Sequence, residues 1–342
     1  MQNNINTLVV SWILPLTMCI SCSTDLKFDL PERDPLLAIQ SFIGPDRDSR
    51  VRVTMARGIQ DTAIQMDIDC QVDLFENGVF YKSLTLDTPA ILSGTISTQG
   101  YLDFPVDSSV VLSEGKEYTV KVNYPGFETV TAKDIKPHAV RISEINWRLF
   151  TGEMPEWYYD TPWTNTYYDI YVPKPRARDT LLIEFVITFD DPPGIDNFYC
   201  IGMNLVTPSG RPAPVNFHNI RCQYALYSDP DPPFQKYNYR TKYPYYYGWH
   251  NPITYEILWN DNDFDGSRHS ITIIAPRPNV GAKCIISLYS LSENYHNYMI
   301  DRWKYYKVSD DPFSEPIRLH SNTSNGCGIF ATYSVDKDTL QF

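Results

Sequence analysis

Glycine is scarce in this chain, and the motifs that depend on it are missing. Only 16 of 342 residues are Gly, against 26 Pro. There is no glycine-rich phosphate loop, no Gly-x-Ser-x-Gly elbow and no His-Glu-x-x-His pair. Nucleotide enzymes, serine hydrolases and zinc proteases of those types are thereby excluded. Basic residues are also short: 29 Lys and Arg face 41 Asp and Glu, a net charge of −12. That balance argues against nucleic acid, since neutralising phosphates needs clustered cations. Seven Cys are present, and beyond Cys19 and Cys22 they are scattered singly, without the pairing of a structural zinc site. The six His, at 138, 218, 250, 269, 296 and 320, are too far apart in sequence to read as a metal motif. Carboxylate pairs brought together from distant strands leave no such trace. A hydrolase with an unrecognised carboxylate site is therefore one alternative.

Long apolar runs are absent but for one. Leu8–Cys22 reads LVVSWILPLTMCISC, too short for a membrane span and the length of a signal-peptide core. It closes on Ser21-Cys22, and a small residue before Cys at that place resembles a bacterial lipobox. Residues 1–22 are read as a lipoprotein signal peptide, with Cys22 the acylated first residue of the mature chain. Residues 23–35 then form a tether.

What is plentiful is aromatic and strand-like. Aromatics make up 14% of the chain, with 25 Tyr, a folded composition in which dense proline disfavours long helices. From Leu36 the pattern alternates apolar and polar, as in LLAIQSFI and RVRVTMA. Asn77-Gly78 between apolar runs predicts a tight hairpin. Pro125-Gly126 predicts a type II turn. The fold class is mainly β: two tandem antiparallel β-sandwich domains, with one helix near the C-terminus. The first, 36–136, is immunoglobulin- or fibronectin-like. The second, 137–342, carries aromatic loops and the helix. Leu181–Phe189 is a buried strand. FYCIGMNLV and NFHNIRCQYAL form a hairpin about TPSGRPAP, which sets Cys200 opposite Cys222 as a candidate disulfide.

Three stretches are candidate sites. Trp157, Tyr158 and Tyr159, with Tyr245, Tyr246, Tyr247 and Trp249, lie in tracts dense in Tyr and Pro. Such rings stack on sugars, peptides or a protein partner; the plainer reading is long loops packing their own rings. NDNDFDG places Asp261, Asp263 and Asp265 at the alternate positions of a calcium loop. Thr272 stands where the bidentate Glu belongs, so a solvated turn is the competing reading; no other cofactor is implied. At the C-terminal end, Ser290 and Glu293 have capping-box spacing, and Tyr295, Tyr298 and Met299 recur at helical intervals. Gly326 and Gly328 beyond it mark a tight turn around Cys327.

These pieces together carry a resemblance. Cys22 followed by DLP, then LAIQSFI, CQVDLFENGVF, GKEYTVKV and AKDIKP, come in order. DDPPGIDNFYCI, NDFDGSRHSITI, LYSLSENYHNYMID and PFSEPIRLHSNTSNGCGIFATYS follow. The chain resembles the Bacteroidota envelope lipoproteins grouped as domain of unknown function 4249. The resemblance implies a lipid-anchored outer-membrane protein, encoded near a TonB-dependent receptor, and assigns no catalytic residue. The expected function is a non-enzymatic lipoprotein accessory to such an uptake receptor. The alternative is a stand-alone surface adhesin or carbohydrate-binding lipoprotein.

Overall fold

Among the described residues there are fifteen strands and one helix, and the last of these strands is the longest. The computed structural model describes residues 34–45, 49–56, 66, 68–87, 100–152, 180–206, 257–276, 281–308 and 314–342. The strands are β1 (Leu36–Ile43), β2 (Arg50–Ala56), β3 (Gln71–Glu76), β4 (Val79–Leu84), β5 (Tyr101–Pro105), β6 (Glu117–Asn123) and β7 (Val130–Ile135). Then come β8 (Ile142–Gly152), β9 (Thr180–Asp190), β10 (Phe198–Val206), β11 (Ile257–Asn260), β12 (Arg268–Pro276) and β13 (Lys283–Leu291). Helix α1 (Glu293–Val308), β14 (Thr323–Ser324) and β15 (Cys327–Gln341) complete the chain. Among the described residues no helix is long and apolar enough to cross a membrane.

Three sheets result. One has seven strands in the order β11-β10-β13-β15-β1-β2-β5; a second has three, β12-β9-β8; the third has five, β14-β7-β6-β3-β4. Alternation along each strand decides what packs where. Leu37, Ile39 and Ile43 of β1 and Phe330 of β15 share a core with Val72 and Val120 of the five-stranded sheet. Ile183, Phe185, Ile187 and Phe189 of β9 share another with Ile286 and Leu288 of β13, and Leu340 of β15 packs against it. Phe330 and Leu340 are ten positions apart on one face of β15, so both smaller sheets cover the same side of the large one. The odd positions Ile329, Ala331 and Tyr333 face the other side, where they bury Tyr295, Tyr298 and Met299 of α1 together with Phe42.

The fold is mainly β, with antiparallel sheets and the helix near the C-terminus, as expected. The turns obey their residues: Asn77 and Gly78 both have positive φ, 48° and 79°, the conformation of a two-residue hairpin. Two features differ from the sequence reading. The pair β1–β15 is parallel, Ala38 opposite Cys327 through Ile43 opposite Thr332. The helix is capped by Ser292 rather than Ser290: its Oγ accepts from Tyr295 N–H at 3.2 Å, because β13 runs on to Leu291. In β10, Cys200 lies between Leu258 of β11 and Tyr289 of β13, which are its neighbours on either side; Cys222 and the expected hairpin strand around it lie outside the described residues.

The large sheet is shared across the expected 136/137 boundary. β14 pairs with β7, and the first half of β15 pairs with β1. The second half, Tyr333–Gln341, pairs with β13. Residues 35–342 accordingly form one compact unit.

Candidate functional site

Two polar clusters stand out among the buried residues. The first is the seam where residues 132–142 leave the five-stranded sheet and cross the large one. Backbone polar groups there need partners once buried. A stripe of alternate residues on β15 supplies them. Thr332 N–H and Oγ donate to Asp134 Oδ2 at 2.5 and 2.7 Å. Ser334 Oγ donates to Pro137 O at 2.8 Å, and Asp336 Oδ2 accepts from Ile142 N–H at 2.8 Å. Ser290 of β13, freed from capping, accepts from Val140 N–H at 3.2 Å. Asn294 in the first turn of α1 donates to Asp134 Oδ1 at 2.8 Å, and its own oxygen lies 2.9 Å from His320 Nε2. Asn322 donates to the carbonyls of Lys133 and Phe330, each at 2.7 Å. Lys136 is buried and donates from Nζ to Leu112 O at 3.1 Å; burial lowers its pKa. The seam is a stitched joint, and most partners in it are short side chains or backbone groups.

The second cluster joins the turn after β9 to the loop between β11 and β12. Asp191 accepts from the Tyr199 hydroxyl and, at 2.8 Å, from Gly266 N–H. Asp261 accepts from Asn197 N–H at 2.8 Å and from its side chain at 3.1 Å. Asp265 accepts from Gly194 N–H at 2.7 Å. Carboxylate oxygens of Asp191, Asp261 and Asp265 lie within 4.8 Å of one another, close enough to hold a metal ion. Burial, with the Asp191 charge nearby, raises the pKa of Asp261; burial raises that of the Tyr199 hydroxyl, and its bond to Asp191 adds to the effect. The oxygens suit a hard cation such as calcium. Each carboxylate is nonetheless engaged by donors of the protein, so the two loops are tied without a cation. Asp191→Ala should cost about 2–3 kcal/mol in urea unfolding, because it strands the buried Tyr199 hydroxyl. EDTA should leave the wild-type midpoint unchanged; a fall on chelation would make the cluster a metal site.

The model of the family described as Domain of unknown function (DUF4249) matches residues 23–339. The chain belongs to the DUF4249 family. No curated protein matches it.

Three of the segments by which this DUF4249 chain resembles its family meet in the seam: 132–137, 288–301 and 312–334. Two others, 190–201 and 262–273, form the acidic turn. The residues singled out from sequence fare unequally. Asp261 and Asp265 converge, but exposed Asp263 is outside the group, and its place is taken by Asp191. The loop folds as successive turns, Phe264 N–H to Asp261 O and Ser267 N–H to Phe264 O, rather than as a calcium-loop ring. Trp157, Tyr158, Tyr159, Tyr245, Tyr246, Tyr247 and Trp249 lie outside the described residues, as does Cys22. Asp134, Asn294, Thr332 and Asp191 went unread. Asp134 had a signal: it follows Val130 and Ala132 on the inward face of β7. Asp191 had none before the fold brought two loops together.

Proposed function

We propose that this DUF4249 chain is a non-enzymatic outer-membrane lipoprotein, held to the bilayer through lipid on Cys22 and accessory to a TonB-dependent uptake receptor. One observation carries the reading. The family match begins at residue 23, one position after Ser21-Cys22 closes the apolar leader. The match thus starts one residue beyond Cys22, the residue a lipoprotein signal peptidase cutting after Ser21 would leave first. Two or three acyl chains on one cysteine anchor a protein stably, where one alone would not. The body beyond residue 35, one compact unit with a stitched seam, suits a partner that presents a fixed surface. Solubilising the native membrane in mild detergent and capturing the chain should co-purify a large β-barrel receptor. Cys22→Ser should move the chain out of the membrane fraction. Capture that yields the chain alone sinks the receptor reading; membrane retention of Cys22→Ser sinks the anchor.

A further inference from the structure

Asp134 is buried and its donors are all neutral. It is 4% exposed, and it is held by the Thr332 amide and hydroxyl and by the side chains of Asn294 and Ser292. The charged and titratable groups on the elements around it are engaged elsewhere or face solvent. On β7, Lys133 pairs with Glu117, and just beyond it Lys136 donates to Leu112 O. On α1, Glu293 is exposed and His296 stacks against Phe198. His320 meets Asn294, on the far side of that amide from Asp134. On β15, Asp336 accepts from Ile142 N–H. The Thr332 hydroxyl has two acceptors in reach: Asp134 Oδ2 at 2.7 Å and Ile135 O at 3.1 Å. It carries one hydrogen and donates to one of them at a time.

We propose that Asp134 is a proton-operated latch on the seam, with Thr332 as its switchable partner. When Asp134 is ionised, the Thr332 hydroxyl donates to Oδ2. When a proton from water binds Oδ2, that new O–H donates to Thr332 Oγ, and the threonine hydrogen swings to Ile135 O. No hydrogen bond is lost in either state, so the charge alone decides which is favoured. A buried carboxylate without a cation favours the neutral form. Burial accordingly pushes Asp134 from an ordinary 3.8 up to about 6, against the opposing pull of its hydrogen bonds.

The sign follows from linkage. Between about 6 and 3.8 the folded chain holds a proton that the unfolded chain does not. The Asp134 contribution to stability therefore rises as pH falls through about 6, and is lost as pH rises through it. The elements tightened are β7, the start of α1 and β15, where the two sandwiches join.

Urea unfolding of the detergent-purified chain at pH 7 and 4.5 tests the latch. Asp134 should contribute an about 25-fold rise in the folding constant over that interval, the ratio set by 6 and 3.8, read as wild type relative to Asp134→Asn because buried His296, held down to about 4, works in the opposite direction in both. Asp134→Asn removes the titrating group, although its amide nitrogen cannot accept from Thr332 N–H as Oδ2 does, so the variant is read by its pH dependence and not by its stability at one pH. It should lack the 25-fold contribution, so wild type should gain on it by that factor between pH 7 and 4.5. Thr332→Ser, which keeps the hydroxyl, should keep the gain. The proposal falls if the ratio of the wild-type to the Asp134→Asn folding constant is the same at both pH values. Should the variants not fold, the carboxyl ¹³C shift of Asp134 in the wild type still decides. A midpoint near 6 supports the latch, and one at or below about 4 overturns it.

Discussion

Gly328→Val should lower the unfolding free energy by more than about 4 kcal/mol, the largest single-residue effect we expect. Gly328 has φ +104°, a conformation that β-branched residues avoid. A Cβ built there would lie 2.0 Å from Ile39 O, the residue facing it in the parallel β1–β15 register. The atom in the way is backbone, at the middle of the seven-stranded sheet, so no rotamer change relieves it. Gly326 is nearly as confined, its Cβ position 2.6 Å from Leu37 O. At these two glycines the chain entering β15 passes close against the backbone of β1. Urea denaturation followed by circular dichroism checks this; an unchanged midpoint for Gly328→Val would mean the parallel pairing is wrong.

Phe185→Ala should cost about 3–5 kcal/mol, and the loss should be felt in both sandwiches. Phe185 is fully buried in the middle strand of the three-stranded sheet. It packs in the core with Ile286 and Leu288 and meets Phe342 edge-on at 6.1 Å. Truncation leaves a cavity that flanking strands cannot close without moving. The cavity is confined to the second sandwich, but β15, which walls it together with β13, also pairs with β1. Loosening that wall frees the strand that closes the first sandwich.

Much of the local structure was legible from residue types. Asn77-Gly78 and Pro125-Gly126 name their turns, and both Gly78 and Gly126 have positive φ. Leu181–Phe189 marks its strand, β9. The helix was legible too, through Tyr295, Tyr298 and Met299, although its start was two residues out. Ser290 and Ser292 both offer a hydroxyl, and only the pairing of β13 with β10 and β15 decides which is still in a strand. Pairing partners were the hidden part. Alternation says which face of β15 is buried, but not that β1, nearly the whole chain away, lies beside it. The same holds for the polar clusters. Asp261 and Asp265 were visible as a run, whereas Asp191 joins them only because two loops meet. Thr332, Ser334 and Asp336 alternate on one face of an apolar strand; they make sense once residues 134–142 are seen to cross it.

The central claim is that the shared sheet and its seam make residues 35–342 one cooperative body. Hydrogen exchange at the amides of β6, in the first sandwich, tests it most directly when measured in Phe185→Ala. Val120 and Val122 of β6 are fully buried and belong to a core that does not include Phe185. In a single cooperative body their exchange reports global opening, and their protection falls by the same ~3–5 kcal/mol as the global stability. Protection at β6 that stays at the wild-type level while the second sandwich loosens would show two independent domains and contradict the account.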